Sequence, residues 1–366
     1  MTFSDPERQN KDQTSMSASH SEDAMDLSTA DADETESLRK QLNELKRHVQ
    51  VLEAENILLK SENADLKTRL KNNRLTLGSL PNNTIALYTS LPDRPTLDLV
   101  VDMLSRFNIK YHSDWNVRVI PFEDQVLLTL MKLRLNPPNL DLATRFNVST
   151  ATVTNIFLTI LEVFHVVFFK GLMEGKLPSL AKTQMDAPQC FKQFPNCRVI
   201  LDCTEVRTAK PENLTQNCQT FSHYKKTNTM KGLVGITPNG VISFASMLYG
   251  GSASDKAITQ DSGVLDLLNP GDLILADKGF TIHSILPPGV TVNHPSFLCN
   301  PQFTPQEVGR NKEISRARIH VERAIQRLKV FEILEYIPHH YRHVSSKIFQ
   351  CACCLANLQN PILADR

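Results

Sequence analysis

The stretch Gly271-Asp272-Leu273-Ile274-Leu275-Ala276-Asp277-Lys278-Gly279-Phe280 decides how the C-terminal half folds. Glycine opens a turn, and four apolar residues read as a short buried strand. Asp277 ends that strand, and Lys278-Gly279 turns the chain away. A carboxylate at the mouth of an apolar strand is costly unless something pairs with it. The stretch therefore predicts a partner for Asp277 from elsewhere in the chain.

Working outward, "RVILDCTEV" (198–206) reads as a strand with Asp202 near its end. "KGLVGI" and "VISFASML" flank Thr237-Pro238-Asn239-Gly240, two apolar runs around a turn, and predict a β-hairpin. "GGSASDKAI" (250–258) breaks the chain and caps a helix that carries Asp255. "EISRARIHVERAIQRLKV" (313–330) predicts a helix with Ile314, Ala317, Val321, Ile325 and Leu328 along its apolar stripe and Glu322 at the border. The pattern is an α/β domain with a mixed sheet.

If the strands are neighbours, Asp202, Asp277 and Glu322 converge at one edge of the sheet. Three carboxylates suit hard cations such as Mg²⁺. Two such ions about 3.5–4 Å apart activate water and stabilise the leaving oxygen of a phosphodiester. Each residue also has a plainer role. Asp202 and Asp277 can cap the turns after their strands, and Glu322 can pair with Arg318 one helical turn earlier.

The other regions frame this core. Against a formal total of +1, residues 1–36 hold ten acidic side chains and only Arg8 and Lys11, which leaves +9 on the remainder. An acidic head before a basic body is compatible with nucleic-acid binding. Residues 1–36 are rich in Ser, Thr, Asp and Glu with almost no large apolar side chains, and are expected to be disordered. In 37–72, Leu38, Leu45, Leu52, Leu59 and Leu66 recur every seven residues, with Leu42, Val49, Asn56, Asn63 and Leu70 between them. This heptad predicts a parallel coiled-coil homodimer, with one long amphipathic helix packed on its own chain as the plainer alternative. The acidic residues before the zipper argue that it dimerises without gripping DNA. Residues 73–95 read as a linker, and 96–175 as a helical domain. There, Asn147-Val148 separates two helices. The second is capped by Ser149 and carries Thr152, Asn155 and Thr159 opposite its core residues. This is the outline of a helix-turn-helix whose Thr152 and Asn155 would reach base edges. From spacing alone, an ordinary αα-hairpin is the better reading.

The polar first residues predict no secretory leader, and the apolar run 160–169 is too short to span a bilayer. Eight cysteines in a chain of 366 residues do not suggest a disulfide framework, so a reduced intracellular protein without membrane partners is expected. Lys210, Lys225, Lys226 and Lys231 follow the first strand as a candidate DNA-backbone loop. Arg316, Arg323 and Arg327 share a further face of the Glu322 helix. His340, His343, Cys351 and Cys354 invite a zinc reading, but "KIFQCACCLANL" reads better as a buried helix with Cys as a small apolar residue.

"LDCTEV", "GGSASDKAI", "GDLILADKGF" and "RARIHVERAI" together resemble the DDE-superfamily endonuclease domain of Harbinger-type transposases. The resemblance runs from about Phe194 to Pro361, within a domain read as 190–361, and implies an RNase H-like fold. It places the family's first Asp on Asp202, its second on Asp277 and its Glu on Glu322. It implies Mg²⁺ or Mn²⁺ as cofactor, cleavage at transposon ends and joining to target DNA, in the nucleus. Asp255 falls on a family-like acidic position and is expected to support the site. The helix-turn-helix also resembles the segment that precedes this domain, which reverses the preference for a plain hairpin. Some relatives carry an N-terminal zinc finger of the THAP type. Here no Cys precedes Cys190, so recognition of DNA is left to the helix-turn-helix or to a separate partner protein. The alternatives are a domesticated, non-catalytic DNA-binding regulator on the same fold, and a coiled-coil scaffold with no DNA role.

Overall fold

The computed structural model describes residues 23–72, 74–185, 187–295 and 304–360. The chain divides into two units, Met1–Asn73 and Arg74–Arg366. The described residues of the first form one long helix, α1 (Asp23–Asn72). It starts inside the acidic segment expected to be disordered. Its heptad residues from Leu38 to Leu66 are exposed, with Leu45 at 65% and Leu52 at 57%.

The second unit begins where a linker was expected, yet Leu77 and Leu80 are buried. The anchor is Asp124, itself 2% exposed, which accepts from the Leu77 amide at 2.7 Å and faces Arg74 at 3.3 Å. Helices α2 (Ile85–Thr89), α3 (Arg94–Ser105), α4 (Phe122–Leu135), α5 (Asn139–Phe146) and α6 (Thr150–Phe164) follow. Asp93 caps α3 and Ser149 caps α6 through their side chains. Asn136 and Asn147 end α4 and α5 in the left-handed region, where Asn is tolerated best among non-glycine residues. Beyond α6 the helix continues as a π-helical stretch to Met173. The joined span Thr150–Met173 is long and apolar enough to cross a membrane, and 61% of its most apolar window is buried inside the protein. It exceeds the run read from sequence because Thr and Asn interrupt the apolar residues without interrupting the helix.

After α7 (Leu180–Gln184) comes β1 (Cys197–Thr208), then α8 (Leu214–Thr220), β2 (Phe221–Ser222), β3 (Thr227–Ile236), β4 (Ile242–Ala245), β5 (Tyr249–Gly250), α9 (Asp255–Asp261), β6 (Leu273–Ala276), β7 (Thr291–Asn293), α10 (Pro305–Leu328), β8 (Tyr336–Ile337) and α11 (Ser345–Ala356). The sheet order is β2-β3-β1-β6-β7, with β4 and β5 on β3 and β8 on β1. β3 runs antiparallel to β1 and β4 antiparallel to β3, whereas β6 is parallel to β1 and β7 parallel to β6.

Alternation along β1 builds two cores. Ile200 and Val206 join a cluster containing Ala317, Val321 and Leu328 of α10, the α11 residues and the helices of 85–173. Val199 and Leu201 join a second cluster with Ile258 of α9, Phe280 and Val292. Side chains of successive strand residues point to opposite faces, so the sheet is covered on both sides. The expected helical domain is therefore no separate body: it shares its core with the α10 face of the sheet.

Candidate active site

Position along the strands settles where the carboxylates go. In the parallel pairing, Ile200 faces Leu275 and Leu201 faces Ala276. Asp202 and Asp277 are the next residues on their chains. Adjacent strands lie about 4.8 Å apart. Leu201 and Ala276 belong to the α9-side core, so the following residue on each chain turns to the α10 side. Each aspartate accepts from the amide that follows it: Cys203 N donates to Asp202 at 2.8 Å, and Lys278 N donates to Asp277 at 2.6 Å. Asp277 follows the last residue of β6, but Asp202 lies inside β1, which runs on to Thr208 instead of ending beside it as expected, because β3 continues to pair with it.

Burial pushes the Asp202 carboxyl up to about 6, against the opposing pull of Arg318 and the Cys203 amide; Asp277 and Asp255 add negative charge nearby. The first two aspartates thus sense one another. Glu322, exposed on α10, lines a cavity of about 330 Å³ together with Asp202, Tyr224, Lys225 and Lys329. All three carboxylates thus lie on the α10 side of the sheet.

The partner that the first strand-end aspartate called for is an arginine. Arg318 Nη1 lies 3.0 Å from Asp277 Oδ1, with the arginine side chain 12% exposed and the aspartate 51%. The plainer alternative read from the sequence sets Arg318 beside Glu322, not Asp277. Both project from the same helical face four residues apart, so whatever Glu322 borders is also within reach of the longer guanidinium. That spacing was the available signal. Among the described residues, no three of the His, Cys, Asp and Glu side chains form a cluster able to hold a metal ion as they stand. The donor chemistry nevertheless fits a hard cation. The three candidates offer carboxylate oxygens alone, and a guanidinium already supplies positive charge at Asp277.

The remaining candidates divide. Asp255, the first residue of α9, lies under the site on the opposite face of the sheet: its charge reaches Asp202, and it bonds the Cys203 thiol and pairs with Lys231 at 3.3 Å. Lys231 also donates to the Ala253 carbonyl at 3.0 Å and is 15% exposed, so it locks α9 to β3 and is held away from solvent. Lys210, Lys225 and Lys226 are exposed; Lys225 sits 4.8 Å over the Tyr224 ring at the tip of the β2–β3 turn. Tyr224 and Lys329 were not singled out as site residues in the sequence, because nothing local marks a turn as lying beside a carboxylate. Arg316 and Arg323 are exposed on a different face of α10, where the Arg323 charge acts on Cys190 and His320.

Thr152 and Asn155 differ most from expectation. They are 8% and 0% exposed. Asn155 accepts from the Ser113 amide at 3.0 Å and donates to the Trp115 carbonyl at 3.1 Å, while Thr159 accepts from His112 N at 2.9 Å. The polar stripe satisfies the backbone of a crossing loop, as buried polar groups must. A polar stripe on a helix looks the same in sequence whether it meets water or a loop. Cys351 and Cys354 lie buried in α11, as the apolar reading expected.

Residues 201–357 match the family model described as DDE superfamily endonuclease. Residues 118–170, spanning α4 to α6 and the start of the π-helical stretch, match the helix-turn-helix of DDE superfamily endonuclease. No curated protein and no solved structure matches the chain. The endonuclease match covers all three carboxylates and supports a transposase-like nuclease function. DDE endonucleases use divalent metals.

Proposed function

We propose that the protein is a metal-dependent DNA endonuclease of the Harbinger transposase type, with Asp202, Asp277 and Glu322 as its metal-holding carboxylates. The observation that carries the reading is that the chain matched as a DDE endonuclease sets Asp202 and Asp277 side by side on adjacent strands and Glu322 on the rim of the Asp202 cavity. The strand order, three antiparallel strands with two parallel strands beyond β1, supports an RNase H-like fold.

In this reading the three carboxylates hold Mg²⁺ or Mn²⁺. Bound there, divalent ions supply Lewis-acid stabilisation of the phosphodiester and activation of its attacking nucleophile. Lys225 and Lys329 line the same cavity and hold the DNA backbone by charge. Lys210 and Lys226 extend that basic lip. Asp255 with Lys231 fixes α9 under the site. Cleavage at transposon ends, followed by joining to target DNA in the nucleus, is the reaction this site suits. The exposed heptads of α1 support assembly as a parallel homodimer. With Thr152 and Asn155 turned inward, end recognition falls to other surfaces or to a separate partner protein.

The test is cleavage of DNA carrying the element's terminal repeats with Mg²⁺, comparing the wild type with Asp277→Ala. The reading requires cleavage that the substitution abolishes. Salt-dependent DNA binding without cleavage by the wild type would instead establish the non-catalytic regulator.

A further inference from the structure

The Asp277–Arg318 pair is more than a surface contact. The same Asp277 oxygen, Oδ1, receives both the Lys278 amide at 2.6 Å and Arg318 Nη1 at 3.0 Å. Arg318 is nearly buried, and its Nε is buried without a hydrogen-bond partner among the described residues. Among the described residues, the guanidinium makes its ion pair with Asp277. Its charge also bears on Asp202, where it is the leading influence favouring the ionised form. Arg318 and Glu322 stand four residues apart on α10, which packs on β1, β3 and β6.

A divalent ion ligated by Asp277 Oδ1 would meet this guanidinium at close range. Two positive centres within about 4 Å repel, all the more because the guanidinium is largely shielded from water, although Asp277 is half-exposed. Without either cation, Asp202 and Asp277 would repel one another. Resting on the metal-site reading above, we propose that Arg318 is a built-in counter-cation that exchanges with the divalent metal. It neutralises the aspartate pair in the metal-free protein and must leave Asp277 for the ion to bind. Arg318 is thus a positioning residue, acting through Asp277. It weakens metal affinity while keeping the empty site folded. Once released, its planar fork of donors matches phosphate oxygens, a geometry that lysine lacks.

The test is Mn²⁺ titration of the full chain by calorimetry, with thermal melting as a fold check, for wild type, Arg318→Lys and Arg318→Gln. The expected order of affinity is Gln, then Lys, then Arg, with Arg318→Gln binding about tenfold more tightly than wild type. Metal-free Arg318→Gln should melt lower than wild type and gain more from added Mn²⁺. Should Arg318→Gln not fold, Arg318→Lys against wild type decides the same point, because its ammonium holds Asp277 without the fork. Equal or weaker Mn²⁺ binding by the folded variants overturns the exchange and leaves the metal site standing. No Mn²⁺ binding by wild type or variants overturns both.

Discussion

The Lys231 ammonium lies 3.3 Å from the Asp255 carboxylate, and this pair ties α9 to β3 directly beneath the strand that carries Asp202. It separates two kinds of lysine that look alike in sequence. Lys231→Met should cost about 1–3 kcal/mol of stability in chemical denaturation, since it strands a partly buried carboxylate and the Ala253 carbonyl. Lys225→Met, at the exposed turn, should leave stability unchanged. Its effect should appear in DNA titrations at several salt concentrations, as weaker binding and a salt slope reduced by about 1.

Gly232 in β3 marks where α11 presses on the sheet. A Cβ there would fall 2.6 Å from the Phe349 ring. Gly232→Ala should destabilise the fold by about 1–3 kcal/mol through overpacking. Adding Phe349→Leu should recover part of that loss, which a double-mutant cycle by urea denaturation measures. A loss that Phe349→Leu does not relieve would place the strain elsewhere.

Lys132 gives a pH signature. Burial lowers its ammonium to about 8, although it donates to the Pro137 carbonyl at 2.7 Å. A group depressed on folding binds fewer protons in the native state than in the unfolded chain between about 8 and 10.5. Stability should therefore rise with pH across that window and be lowest, for this group, below it. Compared with Lys132→Met, wild type should gain on the order of 3 kcal/mol between pH 8 and 10.5. Parallel denaturation curves for the two proteins across that range would contradict the assignment.

The α1 heptads predict self-association. Leu45→Ser with Leu52→Ser should convert a dimer to a monomer in sedimentation equilibrium. It should leave the melting of residues 74–366 unchanged, because those leucines are solvent-exposed in the single chain. A wild-type monomer at tens of micromolar protein would remove the zipper reading.

Much of the sheet was legible because its signals are local. Apolar runs and the Pro-Asn-Gly turn located β1, β3, β4 and β6; the apolar stripe and the prolines after it located α4, and Ser149 fixed the start of α6. The two-residue strands β2, β5 and β8 carry no period at all. The segment 74–80 looked like a linker because Gly78 and Pro81 outweigh three leucines in a short window. Only a distant residue, Asp124, explains its burial. The same limit governs the site. Asp277 was readable as a carboxylate at a strand end and Glu322 as one bordering an apolar stripe, whereas Asp202 lies further from its strand's end than expected, since β1 runs on to Thr208. Which cation each one faces depends on how α10 lies across the strands, and sequence spacing alone left Arg318 beside the wrong acid.

The central claim is that one divalent ion is shared by side chains from β1, the end of β6 and α10. Anomalous scattering from a crystal of the full chain soaked in Mn²⁺ tests it most directly. The account predicts Mn²⁺ density bonded to carboxylate oxygens of Asp202 and Asp277, with Glu322 in the same ligand shell and Arg318 displaced from Asp277. Density elsewhere, or none while Arg318 stays on Asp277 at saturating Mn²⁺, would contradict it.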